Sequence, residues 1–253
     1  MIELKNISAG YGNKNILNEM TISFEKGKLT SIIGVNGCGK STLLKAILGI
    51  LPLASGEIMI DKNDLRSMSR NEIAQKIAYL SQGKNTPEMT VEQMVLHGRF
   101  PYLSYPRRYK EADRKIAKSA MEAVNISYLA DKPLCELSGG MKQNVYIAMA
   151  LAQNTDYILL DEPTTYLDIA HQLELMKLLR KLTDTGKGII AVMHDLPLAF
   201  DFSDEIAVIQ NGTVVTHTSP QELYTSPIIQ ENFGVKMERL SDHKFYYDYC
   251  YQP

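Results

Sequence analysis

The sequence contains no tryptophan and only three cysteines in 253 residues. Cys38, Cys135 and Cys250 are far apart, odd in number and not arranged as C-x-x-C pairs. This pattern argues against a disulfide framework and against a zinc site, and it is typical of a protein from a reducing compartment such as the cytosol. The chain is long enough to bury a proper core as one large or two small domains.

Long hydrophobic runs and an excess of one charge are also missing. No stretch of about 18 apolar residues occurs, so no segment is predicted to cross a bilayer by itself. The first six residues alternate like a β-strand, without the charged and then apolar regions of a signal peptide. The formal net charge is −2, whereas general nucleic-acid binders carry a basic excess. We expect a soluble cytoplasmic protein that binds no nucleic acid and reaches a membrane only through a partner.

Residues 34–41 have the sequence GVNGCGKS, which matches the phosphate-binding P-loop pattern G-x-x-x-x-G-K-[ST]. An apolar run at 30–33 predicts a buried strand before the loop, and helix formers predict a helix after it. Glycines let such a backbone wrap a phosphate, Lys40 reaches the outer phosphates and Ser41 supplies an oxygen to Mg²⁺. At Cys38 a reactive thiol is the alternative to a purely backbone role, and it would require a lowered pKa.

Polar side chains follow three further short apolar runs. The runs and the residues that follow them are 77–80 with Gln82, 157–160 with Asp161 and Glu162, and 189–193 with His194. The carboxyl ends of parallel strands meet at one edge of a sheet, where open α/β folds bind ligands. Phosphoryl transfer asks the protein mainly for positioning and charge stabilisation, which carboxylates, a lysine and a metal ion provide. We therefore expect these residues to lie beside the P-loop.

The stretch between Gln82 and Tyr157 has a helical pattern without strands of similar quality. Helices are predicted at 91–97, 113–124 and 138–152. We expect an α/β fold with an N-terminal antiparallel β region and an inserted α-helical subdomain. The expected parts are a nucleotide-binding core at 1–85 and 155–235, the helical subdomain at 86–154 and a C-terminal extension at 236–253.

Three further elements are predicted towards the C-terminus. A helix at 169–182 is amphipathic, with Leu173, Met176 and Leu179 near one face. Asn211-Gly212 between two apolar runs is a strong hairpin signal. The tyrosine-rich segment at 245–251 is predicted to form a late strand.

Taken together, the motifs resemble those of the ATP-binding subunits of ABC transporters. Leu137-Ser138-Gly139-Gly140 lies between the P-loop and the acidic pair, and this order distinguishes that family from small-molecule kinases with a P-loop. The resemblance extends from about residue 2 to the C-terminus. It implies a P-loop ATPase fold in a single domain (1–253), with ATP as the bound nucleotide and Mg²⁺ as the metal ion.

The family pattern gives each matching residue a role. It implies that Glu162 orients the attacking water, that Asp161 holds Mg²⁺ through water and that His194 contacts the γ-phosphate. Gln82 would reach both the metal and the water. Tyr11 would stack on adenine, with a simple turn tyrosine as the alternative. The residues expected to surround the phosphates are Gly34, Val35, Asn36, Gly37, Cys38, Gly39, Lys40, Ser41 and Thr42.

The Ser138-Gly139-Gly140 segment opens a predicted helix, with Ser138 as its N-cap. In the resembled family this helix end binds the γ-phosphate held by a second subunit, and Asp168 belongs to the loop that links the two sites. The chain carries one set of motifs, so a second copy or a homologue must supply the other. Three residues depart from common family choices without removing a phosphate-contacting group: Val35, Met141 and Asn144.

Three local strings resemble the ATPases of bacterial iron–siderophore, haem and vitamin B12 importers. They are NGCGK at 36–40, HGRFPY at 97–102 and TTYLDIAHQ at 164–172. The second string lies where the membrane permease of that family inserts a coupling helix. Candidates for lining its groove are Phe100, Tyr102, Leu103 and Tyr105, and a locally packed loop is the alternative.

The function expected from this resemblance is ATP hydrolysis that energises the import of an iron–siderophore or related metal chelate. It implies integral-membrane permease subunits as partners, an extracytoplasmic substrate-binding protein as an indirect one, and a place at the cytoplasmic face of the membrane. A soluble single-domain ABC ATPase that serves as an assembly scaffold stays open, because it too would carry one motif set. An ABC ATPase acting on DNA would need a longer insertion than 86–154, and a translation-associated one would carry two motif sets.

Overall fold

The computed structural model describes residues 1–81, 86–165, 167–241 and 244–249. Gln82 lies outside these ranges, so its expected role stays a prediction. The described residues form twelve strands: β1 (Ile2–Tyr11), β2 (Lys14–Phe24), β3 (Leu29–Ile33), β4 (Leu53–Ile60), β5 (Asn63–Asp64), β6 (Ile77–Leu80), β7 (Tyr157–Asp161), β8 (Gly188–Val192), β9 (Glu205–Gln210), β10 (Thr213–Thr218), β11 (Val235–Ser241) and β12 (Lys244–Tyr249). They also form nine α-helices: α1 (Lys40–Ile47), α2 (Arg70–Lys76), α3 (Val91–His97), α4 (Glu111–Ala123), α5 (Gly139–Gln153), α6 (Ile169–Asp184), α7 (Leu196–Phe202), α8 (Pro220–Tyr224) and α9 (Ile228–Phe233).

The central sheet has six strands in the order β10-β9-β3-β8-β7-β6. Every neighbouring pair is parallel except β9 with β10. Strands β3, β7 and β8 are buried along their whole lengths, as expected for parallel strands covered on both faces. Their carboxyl ends share one edge, because Ile32 pairs with Val192 and Val192 pairs with Asp161. The strands predicted from apolar runs are thus confirmed.

A second, antiparallel sheet has the strand order β2-β1-β4-β5. Its inner residues, among them Leu4 and Phe24, pack with Ile32 of β3 and Leu43 of α1 in one buried cluster. Tyr11 ends β1 and pairs with Lys14 across the turn into β2. The predicted N-terminal antiparallel region and the α/β fold are confirmed.

The described residues between 86 and 154 form helices and one isolated β-bridge, between Thr90 and Pro133. Helices α3, α4 and α5 pack on one another through small and β-branched side chains such as Val95, Ala117 and Ala148. The predicted helices of this stretch are confirmed to within two residues at each end. The boundaries of a separate subdomain stay a prediction.

Helix α6 covers the predicted segment, but its buried face differs from the one expected. Leu175, Met176 and Leu179 are buried, whereas Leu173 is 37% exposed. The placement of Leu173 on the apolar face of the helix was therefore wrong. At about 100° per residue, Leu173 lies at the edge of the stripe defined by Leu175, Met176 and Leu179. None of the described helices is long and apolar enough to span a bilayer.

The C-terminal third contains two hairpins. Asn211 and Gly212 both have positive φ, 50° and 77°, and join β9 to β10, which confirms the predicted turn. Strands β11 and β12 form a separate pair. Phe245 anchors it, since this buried ring packs 5.3 Å from Phe200 and its backbone N–H donates to Asp201. The late strand is confirmed as far as residue 249, and positions 250 and 251 lie outside the described residues.

Candidate active site

The P-loop connects the carboxyl end of β3 to the first turn of α1. Gly37 and Gly39 have φ values of 80° and 111°, conformations that side chains with a Cβ rarely adopt. Helix α1 begins at Lys40, so the free N–H groups of its first turn face the loop. A helix N-terminus beneath a loop of this kind favours an anion such as phosphate.

Lys40 is buried inside the loop that it follows. Its ammonium nitrogen donates to the carbonyl oxygens of Gly34, at 2.6 Å, and Val35, at 3.1 Å. These neutral acceptors hold the cation without neutralising its charge by a carboxylate. The charge therefore remains available to an anion bound in the same loop.

Cys38 contributes its backbone rather than a reactive thiol. Its carbonyl oxygen accepts from the N–H of Gly212, and its side chain is only 5% exposed. Burial raises the pKa of the Cys38 thiol, which is the opposite of what a nucleophilic or redox-active cysteine requires. These observations argue against a reactive thiol, and a backbone role of Cys38 at the phosphate stays a prediction.

Ser41 and Asp161 meet across the P-loop helix and the end of β7. The Ser41 hydroxyl donates to Asp161 Oδ1 at 3.0 Å. Burial raises the pKa of Asp161, the hydrogen bond from Ser41 lowers it, and the neighbouring Glu162 raises it, with a net upward shift. A hydroxyl beside one carboxylate suits Mg²⁺, which takes few protein ligands and keeps waters and phosphate oxygens. The described residues contain no cluster of three or more His, Cys, Asp or Glu side chains that would form an all-protein metal cage.

Tyr79 is a member of the site that the sequence analysis missed. It lies on β6 beside β7, and its hydroxyl donates to Asp161 Oδ2 at 3.4 Å. Burial and the nearby Asp161 charge raise the pKa of the Tyr79 phenol, so it keeps the proton that it donates. The only sequence signal was its place three residues before Gln82 on a short apolar strand.

Glu162 and His194 form a short polar contact at this edge of the sheet. His194 Nε2 lies 2.6 Å from Glu162 Oε1, and Thr165 Oγ1 donates to Glu162 Oε2 at 3.3 Å. In the tautomer that protonates Nε2, the ring donates to the carboxylate. Glu162 has a φ of 53°, an uncommon conformation for a non-glycine residue that concentrates at functional sites.

Tyr11 lies near the P-loop helix with its ring half exposed, at 51%. The ammonium of Lys45, on α1, lies 5.8 Å from the ring centroid and 3.4 Å from the hydroxyl oxygen. An exposed aromatic face beside the P-loop is compatible with the stacking role expected for Tyr11.

The Ser138–Gly140 segment lies elsewhere on the molecule, on the helical part. Ser138 caps α5, with its hydroxyl accepting from the N–H of Met141 at 3.3 Å. Ser138 and Gly139 are exposed, and within the described part of the chain no hydrogen bond joins this segment to the P-loop. Asp168, also exposed, caps α6. One chain therefore brings together the P-loop, Asp161, Glu162 and His194, and leaves the Ser-Gly-Gly end facing outwards.

A phosphate-binding loop at the carboxyl edge of a parallel sheet, with a carboxylate–hydroxyl pair and a glutamate beside it, defines a P-loop ATPase. The chain belongs to the ABC transporter family, since a sequence model of that family matches residues 17–165. The fold and the family expected from the motifs are both confirmed.

Named relatives match almost the whole chain. It is 40% identical to the iron(3+)-hydroxamate import ATP-binding protein FhuC of Bacillus subtilis (strain 168), over 95% of this chain and 90% of that one. It is 38% identical to the petrobactin import ATP-binding protein FpuD of Bacillus anthracis, over 96% of this chain and 90% of that one.

A solved structure, described as the dimeric structure of MJ0796, a bacterial ABC transporter cassette, matches with a TM-score of 0.77 and 31% identity. The match covers 87% of this chain and 99% of that one.

Proposed function

We propose that this protein is the ATP-hydrolysing subunit of an importer for an iron–siderophore or a related metal chelate. The main structural support for ATP hydrolysis is the Glu162–His194 contact, at the edge of the sheet where the P-loop lies. The chelate class is supported by similarity along nearly the whole chain to ATPases named for iron(3+)-hydroxamate and petrobactin import. Neither relative is named as an assembly scaffold, and no feature of the site favours that alternative.

Within one site, each residue has a distinct task. Lys40 binds the outer phosphates, and Ser41 with Asp161 holds Mg²⁺, which when bound supplies positive charge to the phosphate oxygens. Glu162 accepts hydrogen bonds and orients the attacking water. His194 holds the Glu162 carboxylate in place from the neighbouring strand and is available to the γ-phosphate.

Hydrolysis requires a second copy of the chain. The Ser138–Gly140 helix end offers N–H groups suited to a phosphate, yet among the described residues no hydrogen bond joins it to the P-loop of its own chain. A head-to-tail pair would place this end over the nucleotide of the partner. The description of the similar cassette as dimeric supports a pair, and its head-to-tail arrangement is part of the proposal.

The permease is proposed to dock at the turn formed by residues 100–105. Phe100 and Tyr102 are 43% and 37% exposed, and Tyr105 is almost fully exposed at 97%. Arg99 is buried, bonded to Asp113 at 3.1 Å, and its guanidinium lies 3.9 Å from the Tyr102 ring centroid. The Phe100 ring packs instead against His97 and Arg107. We base the docking proposal on the exposure of three neighbouring aromatic rings, one of which, Tyr102, lies on a buried, paired arginine.

This assignment places the protein at the cytoplasmic face of a membrane, with a substrate-binding protein acting on the opposite side. The test is purification of the chain together with its permease, followed by identification of the solute that stimulates ATP hydrolysis of the complex. A ferric chelate is expected. Failure of the chain to associate with any permease would overturn the transport assignment.

A further inference from the structure

His171, on the first turn of α6, holds the carboxylate of the helix N-cap. Asp168 Oδ1 lies 2.9 Å from the His171 backbone nitrogen and 2.8 Å from His171 Nδ1. The same oxygen therefore receives both the main-chain and the ring donor of one residue. The Asp168 side chain is 66% exposed. The two hydrogen bonds therefore fix the direction of a carboxylate that faces solvent.

The other edge of the His171 ring lies against the first turn of α5. A Cβ built on Gly140 would lie 3.8 Å from His171 Cδ2 and 3.7 Å from a methyl carbon of Leu167. These would be ordinary van der Waals contacts, so the ring faces Gly140 across a space that a methyl group would fill. The imidazole thus bonds Asp168 on one side and faces the Ser138–Gly140 segment on the other.

A second tether joins the same two segments one turn further along α5. Gln143 Nε2 donates to the carbonyl oxygen of Pro163 at 2.9 Å. Gln172 closes the intervening turn by donating to the carbonyl oxygens of Thr164 and Leu167. A hydrogen bond therefore fastens the segment to α5 at Pro163, and at its other end the His171 ring faces Gly140 of the same helix.

We propose that His171 is a positioning residue that makes Asp168 and the Ser138–Gly140 helix end one unit. The inference rests on the two-copy arrangement proposed above, in which both groups face the partner subunit. When the pair closes, a single orientation of this unit presents the carboxylate and the phosphate-binding helix end together. The Lys40 loop belongs to β3 and α1, so nucleotide binding by one chain does not depend on this unit.

Three substitutions separate the two contacts of the ring. His171→Ala removes both the hydrogen bond to Asp168 and the ring that faces Gly140. His171→Phe keeps an aromatic ring facing Gly140 but has no N–H to donate. His171→Asn has no ring, but its side-chain N–H₂ group stands as many bonds from Cβ as Nδ1 and can still donate to Asp168. We expect His171→Ala to lower kcat for ATP by about two- to tenfold, the cost of one such hydrogen bond, with KM changed by less than about twofold. The Phe and Asn variants should lie between Ala and wild type.

The double variant Gln143→Ala/His171→Ala tests whether the two tethers serve the same coupling. Its loss in kcat should differ from the product of the single losses, since both act on one unit. Lys177→Ala, an exposed change on the same helix, is the control and should leave kcat and thermal stability as in wild type.

An unchanged kcat for His171→Ala, or a loss confined to thermal stability, would overturn the proposal. Glu162→Gln is measured in the same assay as a separate check. If Glu162→Gln also keeps wild-type turnover, the proposed hydrolytic site itself fails, whereas its inactivation beside a normal His171→Ala rejects only the role of His171.

Discussion

Glu162 Oε1 and His194 Nε2 lie 2.6 Å apart, at the ends of the neighbouring strands β7 and β8. Strand pairing brings the two residues together, because Asp161 is in register with Val192, Glu162 follows Asp161 directly and His194 comes two residues after Val192. The left-handed backbone conformation of Glu162 turns its carboxylate towards the histidine rather than along the strand direction. A carboxylate held this way is oriented before any substrate arrives.

Glu162→Gln should keep ATP binding and lower turnover by about 10²- to 10⁴-fold, the usual loss when a general base is removed. The amide preserves the size of the side chain and leaves Lys40, Ser41 and Asp161 in place. Because ATP is bound but not cleaved, the variant should accumulate as an ATP-bound dimer in size-exclusion chromatography. Turnover within twofold of wild type would remove Glu162 from the assignment.

Lys40→Ala and Ser138→Arg should separate the two faces of the composite site. Lys40→Ala removes a charge-assisted contact worth about 1.5–3 kcal/mol, so nucleotide binding by the isolated chain should weaken by about 10- to 150-fold. Ser138→Arg places a bulky side chain on an exposed helix end and should leave that binding nearly intact while blocking hydrolysis. Equal losses of ATP binding in the two variants, measured by calorimetry, would contradict a site shared between two chains.

Asp161→Asn should stabilise the Mg²⁺-free protein at neutral pH while abolishing stabilisation by Mg²⁺ with ATP. The pKa of Asp161 is raised in the folded state, mainly by burial, so the folded protein binds this proton more readily than the unfolded chain. Its ionisation therefore costs stability as the pH rises through the folded pKa, and the neutral amide avoids that cost. Thermal unfolding between pH 5 and 8 measures the difference. A lower Tm for Asp161→Asn at neutral pH without Mg²⁺ would show that the carboxylate stabilises the fold instead.

Phe100→Asp should spare the ATPase activity of the isolated chain and lower it in the complex with the permease. A charge buried at an interface without a partner is costly, whereas the ring is already 43% exposed in the free protein. Tyr128→Asp, at a 73% exposed tyrosine elsewhere in the helical part, is the matched control and should leave complex assembly unchanged. Unfolding of the isolated Phe100→Asp chain would assign the ring to the core instead of the docking surface.

The central strands could be predicted from the sequence because strands buried on both faces consist of short apolar runs, and here each run is followed by polar residues. Strands β3, β7 and β8 were therefore located to within one residue. Helix α6 was located to within two residues, but the exposure of Leu173 depends on how the helix is rotated against its neighbours, which periodicity alone determines only coarsely.

The site was predicted less completely than the fold. Lys40, Ser41, Asp161, Glu162 and His194 belong to local motifs with a chemical reason for their spacing, and the structure places them at one edge of the sheet. The contacts of Tyr79 with Asp161 and of Gln143 with Pro163 join residues 82 and 20 positions apart in the chain. Such pairs depend on strand order and helix packing, for which a single sequence carries no direct signal.

The measurement that tests the central claim most directly is ATP-driven uptake of a labelled ferric hydroxamate into vesicles reconstituted with the permease, the substrate-binding protein and this chain. The account predicts accumulation of the chelate with the wild-type chain and ATP, and none with Glu162→Gln under the same conditions. Hydrolysis by the wild-type complex without uptake of any ferric chelate would contradict the proposed substrate class. Uptake that persists with Glu162→Gln would contradict the proposal that hydrolysis at this site energises import.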